Sequence, residues 1–247
     1  IQRNYQEYSK LLKGYYFGRD SLPDYDTFID LCPIFFWKDG LGRYIRFISS
    51  LCLPPLGCEP IIYIYSPEPR NFTLTFDKKV KVFKSIPEYT DTWRVKTTNN
   101  GEIIDCRTGK NHSYLFWEGM SDLLPPLRTG FVVKQDEIDS FFHRILLRLG
   151  LNSRETRDFI KAWLPEFNEA PFYFIGFYDQ EIIEYYAPLS VFPQPQTVIR
   201  VLMDYRALEK EIKVTSPKFK KIPKRNGITL VEWGGLKRSF RSITRTE

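Results

Sequence analysis

Asn71-Phe-Thr-Leu-Thr-Phe76 sets Phe72, Leu74 and Phe76 against Thr73 and Thr75 in strict alternation. Successive side chains of an extended chain point to opposite faces, so this stretch reads as a strand with one buried face. Its neighbours repeat the pattern. Lys79 to Phe83 alternates Val80 and Val82 with lysines, and Thr92 to Thr97 carries Trp93 and Val95. Asn99-Asn100-Gly101 supplies residues that tolerate positive φ, the chemistry of a tight hairpin turn. Pro60 to Tyr65, Glu102 to Cys106 and Ser113 to Trp117 read as further strands. Sheet returns at Phe172 to Tyr178, Ile182 to Tyr186 and Thr197 to Tyr205, with Lys210 to Val214 and Ile228 to Trp233 completing it. Pro193 and Pro195 belong to a loop or a strand edge, because proline has no donor for a ladder.

Composition agrees with this reading. Aromatic residues make up 16% of the 247, while alanine occurs only at Ala162, Ala170, Ala187 and Ala207. Rings suit a pleated, half-buried surface and alanine suits a helix, so sheet carries the fold. Hydrophobic content of 43% and charged content of 27% are those of a folded chain. No run approaches the roughly 18 apolar residues of a membrane-crossing helix, and a soluble protein is expected.

One helical pair interrupts the strands near 135–165. Ile138, Phe141, Phe142, Ile145 and Leu149 form a single apolar stripe, and Gly150 closes that helix as a residue able to turn left-handed. Asn152 with Glu155 three residues later makes a capping-box start for the second helix, which carries Phe159, Ala162 and Trp163 and stops at Pro165. Near the start of the chain, Tyr5, Tyr8, Leu12 and Tyr15 fall at helical spacing, whereas residues up to 56 are loosely patterned. The expected organisation is therefore a helical or irregular N-terminal extension over 1–56, a β-rich domain over 57–235 and a basic C-terminal arm over 236–247. Its fold class is mostly β (α+β), a two-layer antiparallel sandwich-like domain with the helical pair inserted.

Several short motifs follow one another from Cys58 onward: Cys58-Glu-Pro-Ile-Ile-Tyr-Ile-Tyr65, Tyr114-Leu-Phe-Trp-Glu-Gly119, Gly130-Phe-Val-Val133, Leu149-Gly-Leu-Asn152, Asp158-Phe-Ile160, Trp163-Leu-Pro165, Val198-Ile-Arg-Val201 and Val231-Glu-Trp-Gly-Gly235. In this order they resemble a family of microbial proteins of uncharacterised function, over roughly 57–235. The resemblance implies a shared β-rich domain with a helical insert, and no activity.

Charge is uneven along the chain. From Thr215 onward, Lys218, Lys220, Lys221, Lys224, Arg225, Lys237, Arg238, Arg241 and Arg245 face only Glu232 and Glu247, a local net of +7 within a total of +6. Such blocks bind anionic surfaces or polymers by releasing counterions, or dock on acidic partners, and they also occur as solvated ends. Cys32, Cys52, Cys58 and Cys106 contain no C-x-x-C pair, and the two histidines, His112 and His143, complete no ligand set. No metal site and no cofactor are expected. Glycine-rich phosphate loops are absent too.

The most chemically suggestive groups are Trp117-Glu118-Gly119 and Glu232-Trp233-Gly234. Two carboxylates beside rings are what a glycoside hydrolase or a sugar-binding protein uses. Equally, both tryptophans serve as core anchors and both glutamates as strand-end acceptors. His143, with Asp139 one turn earlier, sits along one side of a helix and not around a reacting atom. The expectation is a non-enzymatic structural or adaptor subunit that meets other protein subunits through its ends. A minor component of a virus shell or an envelope fits that description. The alternative is a carbohydrate-active protein built on Glu118 and Glu232.

Overall fold

The computed structural model describes residues 34–38, 44–48, 60–121, 124–220 and 222–238. The chain divides into two compact units, 1–55 and 56–247. In the first, β1 (Ile34–Lys38) and β2 (Tyr44–Ile48) pair antiparallel, Ile34 opposite Ile48 and Lys38 opposite Tyr44. The helical spacing at Tyr5 to Tyr15 lies outside the described residues, as do Cys32, Cys52, Cys58, Lys221, Arg241, Arg245 and the arm beyond Arg238.

The second unit is mostly β, with a few short helices. Its strands are β3 (Ile61–Tyr65), β4 (Asn71–Phe76), β5 (Lys81–Ile86), β6 (Trp93–Thr97), β7 (Ile103–Asp105), β8 (Asn111–His112), β9 (Leu115–Met120), β10 (Phe131–Lys134), β11 (Phe172–Phe177), β12 (Leu189–Phe192), β13 (Thr197–Leu208) and β14 (Thr229–Lys237). Seven form one sheet in the order β10-β11-β13-β14-β3-β9-β5, and five form another in the order β12-β4-β6-β7-β8. Among the described residues, every pairing between these strands is antiparallel except β13 with β14.

The large sheet is covered on both faces. On one, Ile62, Ile64, Leu115, Trp117 and Leu230 meet Phe72, Leu74, Phe76, Trp93 and Val95 of the small sheet. On the other, Tyr63, Tyr173, Ile175, Met203, Tyr205, Val231 and Trp233 pack under α1 (Ile138–Arg148) and α2 (Ser153–Trp163), which contribute Phe142, Phe159 and Trp163. A strand covered on both faces reads as a continuous apolar run, as at Ile61-Ile-Tyr-Ile64, whereas the small sheet keeps the alternation of Asn71–Phe76. Each large side chain so buried contributes on the order of 1.5–3 kcal/mol.

Local signals act as expected in several places. Gly101 at φ 71° closes the turn between β6 and β7, with Thr98 N–H donating to the Glu102 carbonyl at 2.9 Å. Asn152 accepts from the Glu155 N–H at 2.9 Å while Glu155 accepts from the Asn152 N–H at 2.8 Å, a complete capping box. Gly150 at φ 98° ends the preceding turn.

Two expectations fail. Ile182 to Tyr186 is not a strand but part of α3 (Gln180–Tyr186). A helix brings Ile182, Ile183 and Tyr186 onto one side, against Leu202 and Leu236, which an extended chain does not. Lys210 to Val214 joins no sheet. Since β13 and β14 are parallel, the chain must return to the starting end before pairing, and residues 209–228 make that crossover. Within it, Thr215 bridges Thr129, and Phe219 and Ile222 pack against the helix-side core. Lys218, Lys220, Lys224 and Arg225 thus belong to a strap against the domain, and Lys237 ends its last strand.

Candidate functional site

Trp117 and Glu232 share one face of the large sheet, because side chains alternate along β9 and β14. Trp117 Nε1 donates to Glu232 Oε1 at 3.1 Å. Arg200, directly across the parallel ladder from Glu232, donates from Nε to Glu232 Oε2 at 2.6 Å and from Nη1 to Glu184 Oε2 at 2.7 Å. Glu232 is only 4% exposed and Arg200 is as deeply buried, while Glu184 reaches in from α3 with its side chain 53% exposed. A buried carboxylate without a cation neutralises or destabilises the fold, so Arg200 is what allows Glu232 to sit there charged.

Glu118 and Trp233 take the opposite face. Trp233 meets Phe159 edge-on at 5.3 Å under the helices, and Glu118 lies 3.9 Å from Lys84 Nζ. Two carboxylates on opposite sides of one sheet do not flank a common glycosidic bond, which needs them facing each other about 5–10 Å apart. The adjacent glycines answer to packing. A Cβ at Gly119 would stand 2.5 Å from the Lys81 carbonyl oxygen, and one at Gly234 would stand 3.2 Å from the Pro60 Cα. The cavity beside Glu232, walled by Pro60, Trp117, Ile183, Tyr186 and Leu202, measures about 30 Å³. That is room for water, not for a sugar.

A second charged cluster sits four residues along β13 on the same face. Arg238 Nε donates to Asp204 Oδ2 at 2.7 Å, and its Nη2 donates to the Leu124 carbonyl at 2.8 Å and the Tyr178 hydroxyl at 2.7 Å. The Tyr178 hydroxyl lies 2.6 Å from Asp204 Oδ2 and 2.8 Å from the Pro125 carbonyl, with one hydrogen to donate between them. Burial, reinforced by the Asp204 carboxylate, pushes this phenol well above its ordinary value. Burial pulls the Arg238 guanidinium down, yet Asp204 and Tyr178 together hold it above its usual range.

The remaining basic candidates divide. Arg225 grips Glu155, Nη1 to Oε1 at 2.9 Å and Nη2 to Oε2 at 2.5 Å, and also donates to the Gly150 carbonyl at 2.8 Å. Lys237 reaches Glu169 at 2.6 Å and Glu166 at 3.5 Å, and Lys220 reaches Glu181 at 2.7 Å on the surface. Lys218 and Lys224 are exposed. Lys220, Arg225, Lys237 and Arg238, counted together as basic residues of one stretch, are therefore each paired with a different acid or acids of the same chain. Reading along the chain missed Arg200 and Asp204, and found for Glu155 its capping role but not its arginine. One signal for the first two was present, because charged residues inside the apolar run Val198–Tyr205 of a central strand demand partners.

A larger cavity, about 230 Å³, lies elsewhere. It opens where β11 stops at Phe177 while β13 runs on, and Phe177, Gln180, Ile199, Phe219 and Ile222 are among its walls. Compared with family models, curated proteins and solved structures, the chain matches none.

Proposed function

We propose that this chain is a non-enzymatic structural or adaptor subunit of a larger assembly, joined to other protein subunits. What carries the reading is the use of its acids and bases. Glu232, Asp204 and Glu155, the buried carboxylates nearest to anything chemical, are each clamped by an arginine of the same chain. Large apolar side chains meanwhile stand outside on strands and helix ends: Phe192 at 76%, Tyr185 at 68% and Ile86 at 51% exposure. Where such side chains adjoin, a partner that covers them is favoured. Among the described residues no helix is long and apolar enough to cross a membrane.

The test is size-exclusion chromatography with cross-linking of the full chain in extracts of its native source. The chain is expected in a complex well above the 29.3 kDa of one copy, with cross-links from the faces bearing Phe192 and Ile86 to a different subunit. Elution as a lone monomer overturns the reading. Turnover of a panel of chromogenic glycosides that is lost in Glu118→Gln or Glu232→Gln would instead establish the carbohydrate-active alternative.

A further inference from the structure

Strand β13 is twelve residues long, but β11 pairs with only its second half, Met203 to Leu208. One more contact, Tyr178 N–H to the Leu202 carbonyl at 3.0 Å, ends that ladder before the chain turns into α3. On its other side β14 pairs with Thr197 through Tyr205. Among the described residues, Thr197 to Val201 therefore have a strand on one side only.

The register says which groups are left over. Residues 178 and 202 form a hydrogen-bonded pair, and in an antiparallel ladder such pairs recur every second residue. The main-chain N–H and C=O of Val198 and Arg200 therefore point away from β14, into the gap, and no described residue pairs with them from that side. The 230 Å³ cavity fills this gap. Val198, Ile199, Arg200 and Val201 all line it, and four consecutive residues of one strand border a space together only when it lies along the strand's edge. Its helix-side wall is apolar, from Leu149, Phe177, Phe219 and Ile222. Phe219, Lys220, Ile222 and Pro223 of the strap also border it, with Lys220 paired to Glu181 on the surface.

We infer that this gap is a receptor for a short extended segment of a partner protein, which continues the line of β11 antiparallel to β13. Its main chain pairs with Val198 and Arg200, and an apolar side chain enters the wall of Leu149, Phe177 and Phe219. An extended peptide is the occupant because only a main chain presents donors and acceptors at the spacing of a strand edge. The inference rests on the adaptor reading and names the chemistry by which one partner is held.

The test uses the full chain, amide-resolved NMR and an acetylated, amidated hexapeptide of alternating valine and threonine. Binding is expected to shift and protect the amides of Val198 and Arg200, slowing their exchange at least tenfold. Val198→Pro deletes the outward N–H and leaves the ladder to β14 intact, so it should weaken the peptide at least tenfold. In case that variant fails to fold, two peptides N-methylated on alternate residues give the same answer on the unaltered chain: one register binds and the other does not. Absence of shifts at millimolar peptide, shifts away from the gap, equal binding of both methylated peptides, or equal binding by a folded Val198→Pro overturns the proposal. A chain that still runs in its native complex but ignores the peptide loses this receptor and keeps the adaptor reading. A lone monomer that takes the peptide does the reverse.

Discussion

Arg200 with Glu232 and Asp204 with Arg238 are the same device with its signs exchanged. Both sit on one face of β13, four residues apart, and both take their partner from β14 or the residue after it. They differ in how the buried charge is shared. Arg200 holds two carboxylates, one of them half in water, and can lose the outer one and remain paired. Asp204 is fully buried with a single cation, and its Oδ1 has no hydrogen-bond partner among the described residues. The difference teaches that a buried ion with one oppositely charged partner is the more brittle arrangement, although both clusters use the same kinds of group.

The largest effect should come from stripping Asp204 of its cation. Arg238→Ala is expected to cost about 3–5 kcal/mol in chemical denaturation, the usual loss when one member of a buried pair is removed. Asp204→Leu combined with Arg238→Met should recover much of that loss, and a double variant as unstable as the single one would break the comparison. Arg200→Met comes next, at roughly 3 kcal/mol, since Glu232 keeps only the Trp117 N–H. Glu184→Gln sharpens the contrast. Its carboxylate is half exposed, so water screens the pair and the loss should stay below about 1 kcal/mol. Glu118→Gln, on the opposite face with only a distant lysine, should fall within about 0.5 kcal/mol of the parent.

An acid titration adds a group from the small sheet. Burial raises the Asp105 carboxyl, but hydrogen bonds from Thr108 and the Arg107 N–H outweigh it and hold the group below the ordinary carboxylate value. A depressed folded value means that its contribution is whole above about pH 4 and disappears as pH falls through the lower folded value. Asp105→Asn should therefore flatten the stability profile below pH 4 and leave its neutral plateau lower. A profile unchanged in shape would show that Asp105 is not the group responding.

Much of this architecture was legible residue by residue. The alternation of Asn71–Phe76 marks a strand with one wet face, and Asn152 with Glu155 marks a helix start, because both signals lie within a few residues. Ile182 to Tyr186 was misread because five residues rich in isoleucine and tyrosine favour a strand, while the contacts with Leu202 and Leu236 that favour a helix lie far along the chain. The charge clusters were hidden for the same reason. Glu232 and Arg200 are 32 residues apart, and Asp204 and Arg238 are 34 apart. Only the register of two parallel strands brings each pair together. Counting lysines and arginines after Thr215 found the charges but not their partners.

The position of β14 has a consequence for biosynthesis. It pairs with β13 on one side and β3 on the other, joining the three strands β10, β11 and β13 to the three strands β3, β9 and β5. It also follows every one of those six in the chain. A nascent polypeptide therefore emerges as two half-sheets with no ladder between them, and residues 229–237 must arrive before they join. Closure waits on this keystone. Any shortened product ending before Thr229 would lack the centre of its own sheet and expose two apolar edges at once, the kind of surface that chaperones and proteases recognise.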